Sequence, residues 1–132
     1  MARTAIPVVV VEPYQAGTLL TQTTGDATND HEIDASISPR LHLFVRNTGA
    51  NSIDFQIVHN TGVSGYNYSS LTTDYTITSG QYLMIVLDVP GDLKQSGNLI
   101  HIDSADANFG DLRFSAFTWQ DTPRNSSWQR PV

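Results

Sequence analysis

The stretch RLHLFVRNTGANSIDFQIV, residues 40–58, decides the fold that the sequence predicts. Large apolar residues occupy every second position in both halves of this stretch. They are Leu41, Leu43 and Val45 in the first half and Ile53, Phe55 and Ile57 in the second. This period of two gives each half one apolar face when its backbone is extended. The link NTGANS is typical of a turn, with Gly49 free to adopt a positive φ angle. The stretch therefore predicts a β-hairpin.

A hairpin cannot bury its apolar residues alone, so it needs partner strands from elsewhere in the chain. The best candidates are YLMIVL at 82–87 and LRFSAF at 112–117. The first lies in a nearly continuous apolar run, 81–89, which predicts a strand buried on both faces or placed in a subunit contact. Shorter strands are predicted at 74–78 and 98–103. Helical spacing is missing from every stretch of ten or more residues, so the pattern predicts an all-β fold, either a compact sandwich or a jelly-roll-like barrel.

Both ends of the chain differ from this middle part. Residues 1–17 are predicted to form an extended N-terminal arm, because Pro7 and Pro13 bracket the strand-forming run Val8–Val11. The prolines favour an edge strand or a strand that pairs with something outside the body, and an ordinary internal strand is the alternative. Residues 120–132 show no periodicity and are predicted to be a C-terminal tail. The β domain itself is placed at 18–119.

Composition excludes several classes of protein. A chain of 132 residues fits one domain with one core. The absence of cysteine excludes disulfides and thiolate metal sites. A net charge of −6 with Lys94 as the single lysine argues against non-specific nucleic-acid binding, which requires a basic surface. No apolar run approaches the roughly 20 residues of a membrane helix, and the N-terminus does not resemble a signal peptide.

The sequence offers no catalytic constellation. No Gly-x-Ser-x-Gly motif occurs, and GVSGY at 62–66 has the wrong spacing. Asp103, Asp106, Asn108 and Asp111 offer oxygen ligands of the kind that calcium prefers, but their spacing is not that of an EF-hand loop and such residues are common in turns. We therefore expect no enzymatic activity, no catalytic residues, no cofactor and no metal site.

The order of the motifs is more informative than any one of them. The chain begins ARTAIPVVVV after Met1, and continues with TTGDATNDHEI at 23–33, LFVRNTGANSIDFQIV at 43–58, ITSGQYLMIVLDV at 77–89, GNLIHIDS at 97–104 and LRFSAFTW at 112–119. This order resembles small head structural proteins of tailed bacteriophages, the capsid decoration or cement proteins. The resemblance covers most of residues 1–119, and its motifs are structural. Residues 120–132 depart from it.

The resemblance implies a virion protein on the outer capsid surface, made in the host cytoplasm. Such proteins bind the major capsid protein, commonly as homotrimers, and stabilise the shell by clamping neighbouring capsomers. No nucleic acid or membrane is implied as a partner. Three features of the sequence suit that role. They are the capacity of the arm for strand addition, the large apolar area of two tryptophans and the positive charge near both termini. Trp119 alternatively fills the core. The predicted capsid or subunit contacts are Arg3, Ile6, Val8, Val9, Val10, Val11, Trp119, Arg124, Trp128 and Arg130.

An alternative function is a carbohydrate- or receptor-binding β module on the phage head or tail. The loop GYNYSS would then present Tyr66 and Tyr68 as a platform, because aromatic faces stack on sugar rings. The same tyrosines alternatively pack on the body of their own domain. A surface glycan is the partner that this alternative implies.

Overall fold

A computed structural model describes residues 2–11, 19–36, 40–58, 72–88 and 99–119. These residues form ten strands and one 3₁₀ turn. The strands are β1 Thr4–Ala5, β2 Val8–Val11, β3 Thr23–Thr24, β4 His31–Asp34, β5 Arg40–Asn47, β6 Ile53–Val58, β7 Thr72–Ile77, β8 Tyr82–Asp88, β9 Leu99–Asp103 and β10 Leu112–Trp119, and the 3₁₀ turn spans Phe109–Asp111.

The strands form two sheets packed face to face. The first sheet has the order β1-β4-β9-β6-β7, and the second has the order β2-β10-β5-β8 with β3 also paired to β10. Both sheets are mixed, because β1 runs parallel to β4 and β2 runs parallel to β10 while the other pairs are antiparallel. The predicted all-β sandwich is therefore confirmed.

The core lies between the sheets and follows the period of two. Residues at alternate positions point inward and are buried, as expected for strands with one face on a core. They include Leu41, Leu43 and Val45 of β5, Ile53, Phe55 and Ile57 of β6, Ile100 and Ile102 of β9, and Leu112 and Phe114 of β10.

Residues 40–58 do not form the predicted hairpin. Both strands are present with the expected apolar faces, but β5 pairs with β10 and β8 while β6 pairs with β7 and β9. The link NTGANS carries the chain from one sheet to the other, so the two apolar faces meet across the core. The period of two could not distinguish these outcomes, because it reports only which side of each strand faces inward. A link of this length spans the roughly 10 Å between stacked sheets.

Asn47 and Gly49 hold this crossing in place. The buried Asn47 amide donates from Nδ2 to the carbonyls of Asn51 at 2.7 Å and Ile77 at 2.9 Å, and its Oδ1 accepts from Gly49 N–H at 2.9 Å. Gly49 was expected for a positive φ, but among the described glycines only Gly80 has one. A Cβ at Gly49 would lie 2.3 Å from an Asp111 carboxylate oxygen, so close approach explains this glycine.

The two strands expected as packing partners of residues 40–58 pair with β5 in the second sheet, whereas β6 pairs with neither of them. Strand β5 lies between β10 and β8, with Leu43 opposite Ala116 on one side and Ile85 on the other. Strand β8 ends the second sheet at one edge, and β2 ends it at the other.

The described N-terminal residues are part of the sandwich, which corrects the expectation of an extended arm. Strand β1 adds to the first sheet and β2 adds to the second, while Ile6 between them is 2% exposed and belongs to the core. The expectation of an edge strand describes Val8–Val11, because β2 ends the second sheet and pairs there with β10. Residues 12–18 and the predicted tail, 120–132, lie outside the described residues.

Candidate protein-interaction face

The second sheet carries large apolar side chains on its outer face, the side directed away from the core. Tyr82, Met84 and Val86 of β8 point outward and are 59%, 48% and 56% exposed. Ile85 and Leu87, at the intervening positions, are buried in the core. The run 81–89 was expected to be buried on both faces or to lie in a subunit contact. Within this chain its described part is buried on one face only.

Strand β5 continues this outer face. The register places Arg46 opposite Tyr82, Phe44 opposite Met84 and His42 opposite Val86. The rings of Phe44 and Tyr82 lie 5.3 Å apart, and the Arg46 guanidinium lies 5.6 Å from the centre of the Tyr82 ring. Cross-strand pairs of this kind hold the outward side chains in fixed positions.

Three rings form a cluster at the other end of the outer face. His42 stacks on Phe117 with centroids 5.1 Å apart, and Trp119 meets both rings edge-on at 5.8 Å and 5.7 Å. Trp119 is 59% exposed, so it does not fill the core. The Nδ1 atom of His42 is buried and has no hydrogen-bond partner in the described part of the chain.

Strand β2 extends the outer face beyond β10. The register places Val9 beside Phe117 and Val11 beside Trp119. The apolar surface therefore continues across all four main strands of the second sheet, from Tyr82 on one edge to Val11 on the other.

The outer faces of the two sheets differ in charge. The second sheet presents the exposed Arg46 beside its apolar row, with Arg113 next to it across β10. The outward positions of the first sheet instead hold carboxylates, namely Glu32, Asp34, Asp54, Asp74 and Asp103. The sandwich thus has one acidic, polar face and one apolar face that bears positive charge.

The predicted contact residues fall into separate environments. Arg3 is ion-paired with Asp103 and donates to the carbonyl of His31 at 3.2 Å, so it is not a freely solvated cation. Ile6 is in the core and has no surface to offer, and Val8 packs against the core from its edge. Val10 is 42% exposed. Val9, Val11 and Trp119 are the predicted contacts that the structure brings together, whereas Arg124, Trp128 and Arg130 lie outside the described residues.

The outward residues of β5 and β8 are not among the predicted contact residues. The period of two places Phe44 on the side of β5 opposite Leu43, whereas Met84 and Val86 occur in a run that is apolar at neighbouring positions as well, so the sequence offers this run as a subunit contact without showing which side is exposed. Only the pairing with β5, which places β8 at the edge, assigns Tyr82 and Val86 to the surface.

The acidic residues considered for calcium have structural roles. Asp103 pairs with Arg3, and Asp106 accepts the backbone N–H groups of Asp54 at 3.1 Å and Asn108 at 2.8 Å. No group of three or more His, Asp or Glu side chains is arranged to hold a metal ion in the described ranges. A shallow depression of about 330 Å³ beside Asp54 and Asp106 is lined by groups that bond to one another, including Ser104 Oγ to the Asp54 carbonyl at 2.6 Å.

Comparison with known proteins found no family model, curated protein or solved structure that matches this chain. A helix long and apolar enough to cross a membrane is not found among the described residues.

Proposed function

We propose that this chain is a structural virion protein that binds the outer surface of a bacteriophage capsid. It stabilises the shell by joining neighbouring capsomers, and it needs neither catalytic residues nor a cofactor for that role. The observation that carries the proposal is the outer face of the second sheet, where Tyr82, Met84, Val86 and Trp119 are all about half exposed. The order of the sequence motifs, which resembles that of decoration proteins, supplies the kind of partner.

An apolar face of this kind suits a protein partner. Exposed large apolar side chains that are contiguous on a surface mark interaction sites more than isolated ones do. Aromatic residues, methionine and arginine are enriched in protein interfaces, and all of them occur here as Tyr82, Trp119, Met84 and Arg46.

The difference in charge between the two faces indicates which face of the protein contacts the capsid. The major capsid protein would offer an apolar patch bordered by carboxylates, which pair with Arg46. The first sheet, with its carboxylates at outward positions, would remain in water. In this orientation both edge strands of the second sheet, β2 and β8, lie at the sides of the contact. A homotrimer would form through those sides.

Capsid binding by a pair of matched variants tests the proposal. Met84→Lys and Asp74→Asn each raise the net charge by one unit, but only Met84 lies on the outer face of the second sheet. We expect Met84→Lys to weaken binding to purified capsids roughly tenfold or more, as burial of a central interface side chain requires. We expect Asp74→Asn to bind like the unchanged protein. Equal binding of both variants in a co-sedimentation titration would contradict the proposal.

Copy number in the virion distinguishes a protein of the shell from a component of the tail or portal. A decoration protein is present in a fixed, high ratio to the major capsid protein, whereas a tail or portal component is present in few copies. Mass spectrometry of purified virions measures this ratio. A low ratio would contradict the decoration role.

Carbohydrate or receptor binding remains the second candidate. Tyr66 and Tyr68 lie outside the described residues, but Trp119 and Tyr82 present exposed rings on which sugars could stack. A glycan array distinguishes the two functions, because a capsid-binding protein is expected to retain no glycan.

A further inference from the structure

One histidine of the first sheet is fully buried and lies outside the interaction face. His31 occupies an inward position of β4 and has no exposed surface. Its ring packs against Phe114 of β10 at 5.2 Å and against Phe109 of the 3₁₀ turn at 5.7 Å. Burial of an imidazole is unfavourable unless both ring nitrogens find partners.

Both ring nitrogens of His31 do have partners, and these partners fix the proton. The backbone N–H of Asp26 donates to Nε2 at 2.9 Å, so Nε2 must be unprotonated. The Nδ1 atom lies 3.0 Å from the Thr4 carbonyl oxygen, which only accepts, so Nδ1 must carry the proton. His31 is therefore a neutral imidazole that joins β1 to the turn beginning at Asp26.

The same turn holds β1 by several other bonds. Thr4 N–H donates to the Asp30 carbonyl at 3.0 Å, and the Thr4 hydroxyl donates to the Asp26 carboxylate. Ile6 N–H donates to the Glu32 carbonyl at 2.9 Å, which places Ile6 in the core. Thr4 is thus bonded to the turn at Asp26 and Asp30, whereas Ile6 is bonded to β4, and the His31 ring joins the turn to the core.

We propose that His31 is a proton-sensitive latch that holds β1 in the first sheet and Ile6 in the core while it is neutral and releases them when it is protonated. Protonation of Nε2 would set an N–H donor against the N–H donor of Asp26, so that bond must break. Movement of Asp26 also removes the acceptor of the Thr4 hydroxyl. The released segment uncovers the edge of β4 and the part of the core that Ile6 fills.

The surroundings of His31 determine whether a fall in pH favours the closed or the released state. Burial among Phe109 and Phe114 lowers the pKa of His31, and Arg3 acts in the same direction, while the hydrogen bond to the Thr4 carbonyl and the charges of Asp26 and Asp30 oppose it. The charge of Arg3 is itself balanced by Asp103. Because the closed state binds the proton more weakly than an exposed histidine of pKa about 6.5, closure is favoured above that pH. Closure weakens by up to about tenfold per unit as the pH falls below it.

Amide hydrogen exchange at Thr4 and Ile6 tests the latch. We expect protection of these two amides, corrected for the intrinsic effect of pH, to fall about tenfold between about pH 7.5 and about pH 5.5. Protection of Leu43 in the central strand β5 should not change over this range. Unchanged protection at residues 4 and 6 would overturn the proposal.

Two variants test whether the pH dependence of amide protection at Thr4 and Ile6 arises from His31. In His31→Gln the side-chain amide can still accept from Asp26 N–H and donate to Thr4, but it does not titrate, so the pH dependence should vanish. His101 on β9 is the matched control, because burial and Arg3 also lower its pKa, yet it lies on the outer side of the sheet. His101→Gln should keep the loss of protection. Persistence of the loss in His31→Gln would contradict the latch.

A measurement on the unchanged protein covers the case in which His31→Gln does not fold. Nitrogen NMR should show the Nδ1–H tautomer of His31 at about pH 7.5. As the pH is lowered, protection at Thr4 should begin to fall before the ring titrates, because the closed state holds the pKa of His31 below its ordinary value. A His31 ring that titrates without any change in Thr4 exchange would overturn the proposal.

Discussion

At the residue scale, Asn47 shows how one side chain can define a connection between sheets. Its amide bonds to three backbone groups that belong to the link after β5 and to the end of β7. The link therefore needs no regular turn type, because the side chain supplies the partners that a turn would supply. This explains why turn statistics for NTGANS pointed to a hairpin that the chain does not form.

Asn47→Ala should destabilise the fold more than the small number of removed side-chain atoms suggests. The change leaves the carbonyls of Asn51 and Ile77 and the amide of Gly49 without their partner, and we expect the free energy of unfolding to fall by about 2–4 kcal/mol. Urea unfolding measures this difference. Asn51→Ala, which changes an exposed side chain of the same link, should cost less than about 0.5 kcal/mol. Similar values for both variants would contradict the role of Asn47.

The Asp26 carboxylate should make the fold sensitive to acid. Its pKa is held far below the ordinary value of 3.8, first by the Thr4 hydroxyl and then by Asn29. Because the folded pKa is depressed, this stabilisation is complete above about pH 4 and is lost as the pH falls further. We expect thermal unfolding between about pH 2.5 and about pH 5 to show a shallower pH dependence in Asp26→Asn than in the unchanged protein. An equal slope in Asp26→Asn and in the unchanged protein would contradict this role of the carboxylate.

At the scale of the element, β8 combines a core side and a surface side in one apolar run. The sequence shows that this run is a strand, but it does not show which side faces inward. That assignment comes from tertiary pairing, because the register with β5 sets Leu43 against Ile85 and Phe44 against Met84. The inward side of β5 could be read from its own period, since Arg46 and His42 alternate with leucines.

Alanine replacements on β8 should separate its two sides. Ile85→Ala opens space in the core, so we expect a loss of about 2–4 kcal/mol in the free energy of unfolding. Met84→Ala removes a side chain that is about half exposed, and we expect a loss below about 1 kcal/mol. Chemical denaturation of the two variants measures both values. A larger loss at Met84 than at Ile85 would mean that the strand faces the other way.

The candidate site was only partly predictable. Val9, Val11 and Trp119 were expected as contacts and do lie together beside Phe117. The larger part of the outer face depends on which strands become neighbours, and strands such as β5 and β10 are far apart in sequence. The pairing of β2 with β10 is also parallel and long-range, so no local sequence pattern predicts it.

In the whole molecule, the N-terminal strands complete both sheets. Removal of residues 1–12 would take away β1, β2 and the core residue Ile6, and would leave the edge of β4 and the Ala116–Trp119 part of β10 without a partner strand, while β3 would still pair with the start of β10. We therefore expect this deletion to lower the melting temperature by roughly 10 °C or more, as the loss of a buried isoleucine and its strands implies. Differential scanning calorimetry measures the change. A deleted protein that melts like the full chain would show that the N-terminal residues are dispensable for folding.

The asymmetry of the sandwich is also a property of the whole molecule. Carboxylates occupy outward positions on the first sheet, and aromatic and aliphatic side chains occupy those of the second. In the proposed capsid role, the protein would attach by its apolar face and keep the acidic face in water, so it would cover the shell without recruiting a further layer of itself.

The parallel pairing of β2 with β10 has a mechanical consequence. Because the strands are parallel, Val8 at the start of β2 and Trp119 at the end of β10 lie at opposite ends of the pair. The hydrogen bonds between Val8–Val11 and Ala116–Trp119 run across the direction that joins these two residues. Tension applied between residues 8 and 119 therefore pulls these strands past each other and loads their bonds together, in shear. A pair peeled apart from one end would give way bond by bond under a much smaller force. This edge of the second sheet should therefore resist force applied between those two residues.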